Sequence, residues 1–214
     1  LRVAMFLLPE GLTAYDHFWQ RTIAILAVIG IIYGAGAALV QKDFKFVVGY
    51  SSVSHMGFVL LGMMTLNTVG LDGAVLQMFS HGIVASLLFA TVGRMVYDRT
   101  HTRELSELRG MRLAKQMPFV AGVFIIGGLA SMGLPGFSGF VAEMQVLVGA
   151  WEHFPWLTIL TGGGIVVTVW YTFRAILIAF FGEASGSGEH HEPLSPITWQ
   201  ERAGSFLLIA LPVL

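Results

Sequence analysis

Cysteine is absent from this sequence. That removes disulfides, thiolate metal sites and thiol nucleophiles at once. Charge is nearly as scarce. Only 12% of the 214 residues are Asp, Glu, Lys or Arg, about half the fraction of an ordinary soluble domain. The formal net charge is -1, with no basic excess to attract nucleic acid. No glycine-rich phosphate loop, nucleophile elbow or metalloprotease motif is present. No binding element for NADH, flavin or an iron–sulfur cluster is visible either.

What remains is apolar. Hydrophobic residues make up 55% of the chain, and mean hydropathy is +0.74. The apolar runs are long and unbroken rather than alternating, which predicts transmembrane helices and not a β-barrel. A span needs about 20 residues to cross the hydrocarbon core. The sequence therefore predicts an all-α, polytopic transmembrane helix bundle with spans near 22–40, 46–66, 73–97, 117–150 and 156–181. A sixth run, 202–214, reads as a truncated span, and Leu1 to Pro9 as the tail of an earlier one. The chain begins apolar without an initiator Met or a cleavable leader, so it reads as a piece of a longer polypeptide.

Lys42, Lys45, Arg94, Arg99, Arg103, Arg109, Arg112 and Lys115 fall in two connections that the span order places on one side. The positive-inside rule makes that side cytoplasmic. Small residues recur at close spacing, at Gly30, Gly34 and Ala38 and again at Gly162, Gly163 and Gly164, where helices are expected to pack tightly.

The run 117–150 is too long for one span. As a straight helix it would measure about 51 Å, against a core of about 30 Å. Its centre reads Gly133-Leu134-Pro135-Gly136-Phe137-Ser138-Gly139. Proline lacks an N–H, and its ring collides with the carbonyl one turn earlier, here that of Ser131. A helix break at Leu134, Pro135 and Gly136 is expected. Irregular backbone at membrane depth persists only where protein or a hydrated cavity satisfies it. Transporters use such breaks to hold ions, although a plain proline kink would leave the same trace.

Of 13 Asp and Glu residues, only Glu143 lies well inside an expected span, in the second half of the broken run. An ionised carboxylate there costs several kcal/mol unless it is paired, hydrated or protonated, which makes it a candidate proton carrier. The plainer reading is a structural carboxylate held by a partner. Of seven His, His55 and His81 sit in mid-span, where imidazole suits a proton relay or an interhelical hydrogen bond. Ser51 shares a helix face with His55, and Gln77 shares one with His81. His190 and His191 with Glu189 and Glu192 have unspecific spacing, and no metal site is expected. Arg174 is expected to snorkel toward the near interface.

Several blocks together resemble the antiporter-like subunits of respiratory complex I, NADH:quinone oxidoreductase, and most of all those of the subunit M (chain 4) kind. They are Asp43-Phe44-Lys45 and the run Tyr50 to Phe58, Gly73 to Met78, His81-Gly82, His101 to Leu105, Gly133 to Glu143, and Phe180-Phe181-Gly182. The resemblance covers nearly the whole chain. It implies an inverted-repeat, antiporter-like fold with one broken helix, spanning the end of the family's eighth helix to the start of its fourteenth. It implies a proton-pathway role for Glu143, His81 and His55, with the family's upstream lysines preceding Leu1. It implies a proton-translocating subunit in a bacterial inner membrane, with other membrane-arm subunits, lipid and protons as partners. NADH, FMN, iron–sulfur clusters and quinone are expected in other subunits, and no cofactor in this chain. A subunit of a cation/proton antiporter or membrane-bound hydrogenase carries the same helices and stays open, as does a passive scaffold. Phe46, Ser80 and Ile178 depart from the residues usual in the family.

Overall fold

The computed structural model describes residues 9–182 and 194–213. The elements are α1 (Pro9–Val40), α2 (Phe44–Met64), α3 (Thr68–Phe89), α4 (Leu105–Gly110), α5 (Leu113–Gln116), α6 (Pro118–Ser131), α7 (Ser138–Trp151), α8 (Pro155–Phe181) and α9 (Trp199–Ala210). No sheet forms among the described residues, only two isolated bridges, Asp43 with Glu104 and Phe137 with Val213. Four helices are long and apolar enough to cross a membrane: His17–Val40, Phe44–Met64, Thr68–Thr100 and Pro155–Phe181. The chain is a multi-pass membrane protein.

Local chemistry fixes the helix starts. Asp43 caps α2 by accepting from the backbone N–H groups of Lys45 and Phe46, and Asn67 caps α3 through Gly70 N–H. Pro118 and Pro155 open α6 and α8, at positions where a missing N–H costs nothing. Thr198 and Glu201 form a reciprocal capping box on α9.

α3 does not stop at Phe89. It widens into π-helical turns over Ala90–Tyr97 and ends with one α-turn, Asp98–Thr100. Thr91 donates back to the Leu87 carbonyl at 2.7 Å, drawing on an acceptor of the regular ladder. The composition of this stretch does not announce the change of pitch.

The two basic connections meet. Phe44 N–H donates to the Arg103 carbonyl and Leu105 N–H to the Lys42 carbonyl, each at 2.8 Å. Arg103 also pairs with Asp43 at 2.7 Å. Both connections therefore lie at one end of the bundle.

In lipid, burial of apolar surface does not drive helices together, so close backbone approach and hydrogen bonds must. α1 packs on α2 and α3 on α7. A Cβ on Gly34 would lie 2.7 Å from the Ser54 nitrogen, and one on Gly73 2.8 Å from the Val146 nitrogen. Ser54 donates to the Ile31 carbonyl across the α1–α2 crossing. The expected small-residue stripes resolve unevenly. Gly34 and Gly164 are close-approach positions, but among the described residues nothing lies within 4 Å of a Cβ on Gly30, Gly162 or Gly163. Arg174 does more than snorkel. It reaches across to α1 and donates to the Leu39 and Gln41 carbonyls, satisfying acceptors at the end of that helix.

The long run from Met117 to Ala150 divides into α6 and α7, with residues 132–137 unwound between them. Gly133 and Gly136 take φ of +70° and +107°, which only glycine adopts without strain. The freed backbone groups find partners. Leu134 N–H reaches back to the Leu129 carbonyl, and Ser138 N–H donates to the Pro212 carbonyl at 2.8 Å, beyond the end of α9. The unwound stretch is wider than the expected Leu134–Pro135–Gly136 because the left-handed turn at Gly133 ends α6 before the proline does. α9 starts at Trp199, ahead of the apolar run at 202, because its capping box lies in the polar segment before it. The stretch Leu1 to Leu8 and the His190–His191 pair lie outside the described residues.

Candidate functional site

The break sets α7 so that Glu143, about one and a half turns into it, faces α2 and α3. The carboxylate is buried, 5% exposed. Its Oε1 lies 3.5 Å from Nδ1 of His55, which is 2% exposed. Gln77 Nε2 is 3.3 Å from the same Nδ1, and Ser131 Oγ is 3.3 Å from His55 Nε2. The His81 ring stacks at 5.0 Å, tilted by 35°. Ser138 at the start of α7 donates to Ser80 on α3 at 2.8 Å. His55, Gln77, Ser80, His81, Ser131 and Glu143 enclose a cavity of about 10 Å³, roughly the room for one water.

The structure thus brings Glu143, His55 and His81 into one cluster. It also reorders them. His55 is the direct neighbour of the carboxylate, whereas His81 stacks on the His55 ring and faces Glu143 across the cavity they both line. Gln77, matched with His81 by spacing along α3, turns to His55 instead. Sequence spacing finds pairs on one helix, whereas these contacts join positions far apart in the chain.

His55 and Glu143 share a proton economically. Nδ1 can accept from a protonated carboxyl, or a protonated imidazole can donate to the ionised carboxylate. Gln77 suits either state. Its Nε2 donates to a bare Nδ1. Its Oε1, buried and without a hydrogen-bond partner among the described residues, could accept from a protonated Nδ1 once the amide is turned. Nδ1 offers one lone pair or one N–H at a time, so Gln77 and the carboxyl compete for it, and Gln77 can hold the ring while a proton passes between two atoms 3.5 Å apart.

Two site residues escape reading from sequence. Ser131 looks like an ordinary small residue of an apolar helix, but it is the last residue of α6 and holds His55. Its place four residues before Pro135 is the only signal. Gly133 packs on the carboxylate itself: a Cβ there would sit 2.6 Å from Glu143 Oε2. The break is thus the wall of the site.

A second set of charges lies at the basic end. Arg99 grips both carboxylate oxygens of Glu201, at 3.2 and 2.7 Å, and the Ser195 and Pro196 carbonyls. The Arg99 guanidinium holds the Glu201 carboxyl well below the ordinary carboxylate range, at about 2. This clamp ties α9 to the end of the α3 rod.

Comparison with known proteins adds to this geometry. Residues 1–168 match the family model described as NADH:quinone oxidoreductase/Mrp antiporter, transmembrane. The chain is 42% identical over 192 residues to an NAD(P)H-quinone oxidoreductase chain 4 of Microcystis aeruginosa, covering 86% of this chain and 34% of that one. It is 36% identical over 214 residues to NADH-quinone oxidoreductase subunit M of Rhodobacter capsulatus, covering 100% of this chain and 40% of the other. It superposes on a chain of respiratory complex I from Thermus thermophilus with bound NADH with a TM-score of 0.85 at 30% identity, over 99% of this chain and 44% of that chain. The chain thus spans about a third to two-fifths of the length of these curated relatives.

Proposed function

We propose that this chain, which belongs to the NADH:quinone oxidoreductase/Mrp antiporter transmembrane family, is part of a proton-translocating membrane-arm subunit of NADH:quinone oxidoreductase. The observation that carries the proposal is the buried Glu143 carboxylate, 3.5 Å from His55 Nδ1, at the wall of a broken membrane helix. A group so placed is costly unless it works or is fully paired, and one 3.5 Å contact to a titratable ring is the pairing suited to a carrier. The identity to subunit M and chain 4 relatives supports the assignment to that complex.

In this reading Glu143 takes up or releases the translocated proton. His55 exchanges it with the carboxylate, and His81 couples the pair to groups on neighbouring helices. The partners are other membrane-arm subunits, lipid and protons, in the inner membrane of a bacterial cell. NADH oxidation and quinone reduction, with their FMN and iron–sulfur centres, belong to other subunits. Redox energy reaches this site as a change in the field along the arm.

The test is Glu143→Gln in the full-length subunit, within the assembled complex, with proton movement measured per NADH oxidised. Loss of pumping with normal assembly is expected. Pumping at the wild-type rate would refute the reading. The family's Mrp name favours one second reading, a subunit of a multi-subunit cation/proton antiporter. Vesicles holding the purified complex would then exchange sodium for protons without any quinone reductase copurifying.

A further inference from the structure

The Glu143 cavity has a neighbour. On the other side of Ser131 a second cavity of about 20 Å³ is bounded by Ser51, Tyr171, Thr172, Gly128 and the apolar faces of α2, α3 and α6. Ser131 lines both cavities. Tyr171 is buried, 3% exposed, and its hydroxyl has no hydrogen-bond partner among the described residues. Buried hydroxyls left without a partner cost about 1–3 kcal/mol. The cavity beside it has room for a water, and its mostly apolar wall includes three residues besides Ser131 that carry hydroxyls, Ser51, Tyr171 and Thr172.

We propose that this second cavity holds a water joining Tyr171 to Ser131, and so gives the Glu143–His55 pair a second proton branch directed toward the basic end of the bundle. The inference rests on the proton-carrying role given above to Glu143. Ser131 is the junction. Its hydroxyl lies at 3.3 Å from His55 Nε2, and one hydroxyl can accept from the ring while donating to a water. A proton passes from Nε2 to Ser131 Oγ as the serine's own proton moves to the water. Each transfer breaks one N–H or O–H bond and makes the next, with no co-reactant.

The direction follows from the helices. Ser51 lies one turn from His55 toward the start of α2, where Lys42 and Lys45 sit. Tyr171 lies one turn before Arg174, which binds the Leu39 and Gln41 carbonyls at that same end. Beyond the cavity the way is closed by three buried rings. Phe44, Phe124 and Phe180 stand with centroids 4.7, 5.4 and 6.2 Å apart. The branch is hydrated inside and sealed outside, so protons use it only when these rings part.

Tyr171→Phe is the discriminating variant. The hydroxyl makes no hydrogen bond of regular geometry among the described residues, and the Ser51, Thr168 and Thr172 hydroxyls beside it remain in the variant, so a purely structural Tyr171 predicts little loss. The measurement is proton translocation per NADH by the intact complex in vesicles, for Tyr171→Phe, Ser131→Ala, Ser131→Thr and the Tyr171→Phe/Ser131→Ala double variant, with Glu143→Gln alongside. Tyr171→Phe and Ser131→Ala should each slow translocation roughly three- to tenfold, the range expected when one hydrogen-bonded link is lost. Ser131→Thr, which keeps the hydroxyl, should restore most of the rate. The double variant should be no slower than the slower single one, because both break one path. Wild-type translocation in Tyr171→Phe, or multiplied losses in the double variant, would overturn the branch while Glu143→Gln still abolishes pumping. Wild-type pumping in Glu143→Gln would instead remove the reading on which the branch stands.

Discussion

Gly133 is where backbone and chemistry touch, and replacing it by alanine separates the two. The residue has φ of +70°, so any side chain there costs about 1–2 kcal/mol in backbone strain. Its Cβ would also sit 2.6 Å from Glu143 Oε2, well inside van der Waals contact. The carboxylate is the softer partner and must swing away. A swing of roughly 1 Å takes Oε1 out of its 3.5 Å contact with His55 Nδ1, the contact across which the proposed transfer runs. Translocation should fall about tenfold to a hundredfold, the loss that a misplacement of about 1 Å can cause. Gly136→Ala is the control. Its φ of +107° imposes at least the same strain, but nothing among the described residues lies within 4 Å of its Cβ. Both variants should therefore unfold at lower temperature in detergent, while Gly136→Ala keeps translocation within about twofold once corrected for assembly. The assay is dye-reported proton uptake into vesicles holding the full-length subunit in its complex. Equal loss of pumping in both variants would mean the break acts through its backbone alone, and the contact with Glu143 would be irrelevant.

Three further outcomes follow from the geometry. His55→Ala should impair proton translocation more than His81→Ala, because His55 alone of the two contacts Glu143 directly; the reverse order in the same vesicle assay would contradict the arrangement. Gly73→Ala should destabilise the helix pair by roughly 1–3 kcal/mol, as overpacking does, while Gly162→Ala should be neutral; thermal unfolding in detergent separates them, since a Cβ meets Val146 at the first site and nothing at the second. The Arg99–Glu201 clamp should hold from neutral pH into the acid range. The folded carboxyl is depressed to about 2, so its stabilising effect is complete above the ordinary carboxylate range near 4.3 and fades as pH falls toward 2. Hydrogen exchange of residues 199–210 should rise only over that interval, and Arg99→Ala should raise it already at neutral pH.

The sequence speaks clearly where physics is local. A run of apolar residues long enough to cross lipid, a proline without an N–H among glycines, and an acid in an apolar stretch each carry their meaning within a few positions. That is why the helices, the break and the cluster's three titratable residues are visible without coordinates. The rest depends on contacts across helices. His55 and Gln77 meet because α2 and α3 pack, and nothing in either helix says which histidine will stand beside the carboxylate. Gly133 ends α6 early because it turns left-handed against Glu143, a constraint set by the partner and not by Pro135. Tyr171 reads as one more aromatic in an apolar helix until its hydroxyl is found beside Ser51, at a cavity that Ser131 also lines. The π-helical turns of Ala90–Tyr97 have no sequence signature at all, since the same residues would build an ordinary helix.

The head of α7, just past the unwound stretch, owes one of its hydrogen bonds to the far end of the described chain. Ser138 N–H donates to the Pro212 carbonyl, and Phe137 bridges Val213. During synthesis α6 and α7 leave the ribosome well before that carbonyl exists. Until then the amide at the head of α7 must borrow another acceptor, from water, a neighbouring helix or the insertion machinery. The site around Glu143 is thus finished late, when the segment after α9 docks. A nascent chain stalled before residue 212 would carry every titratable residue of the cluster and still lack the bond that fixes the head of α7.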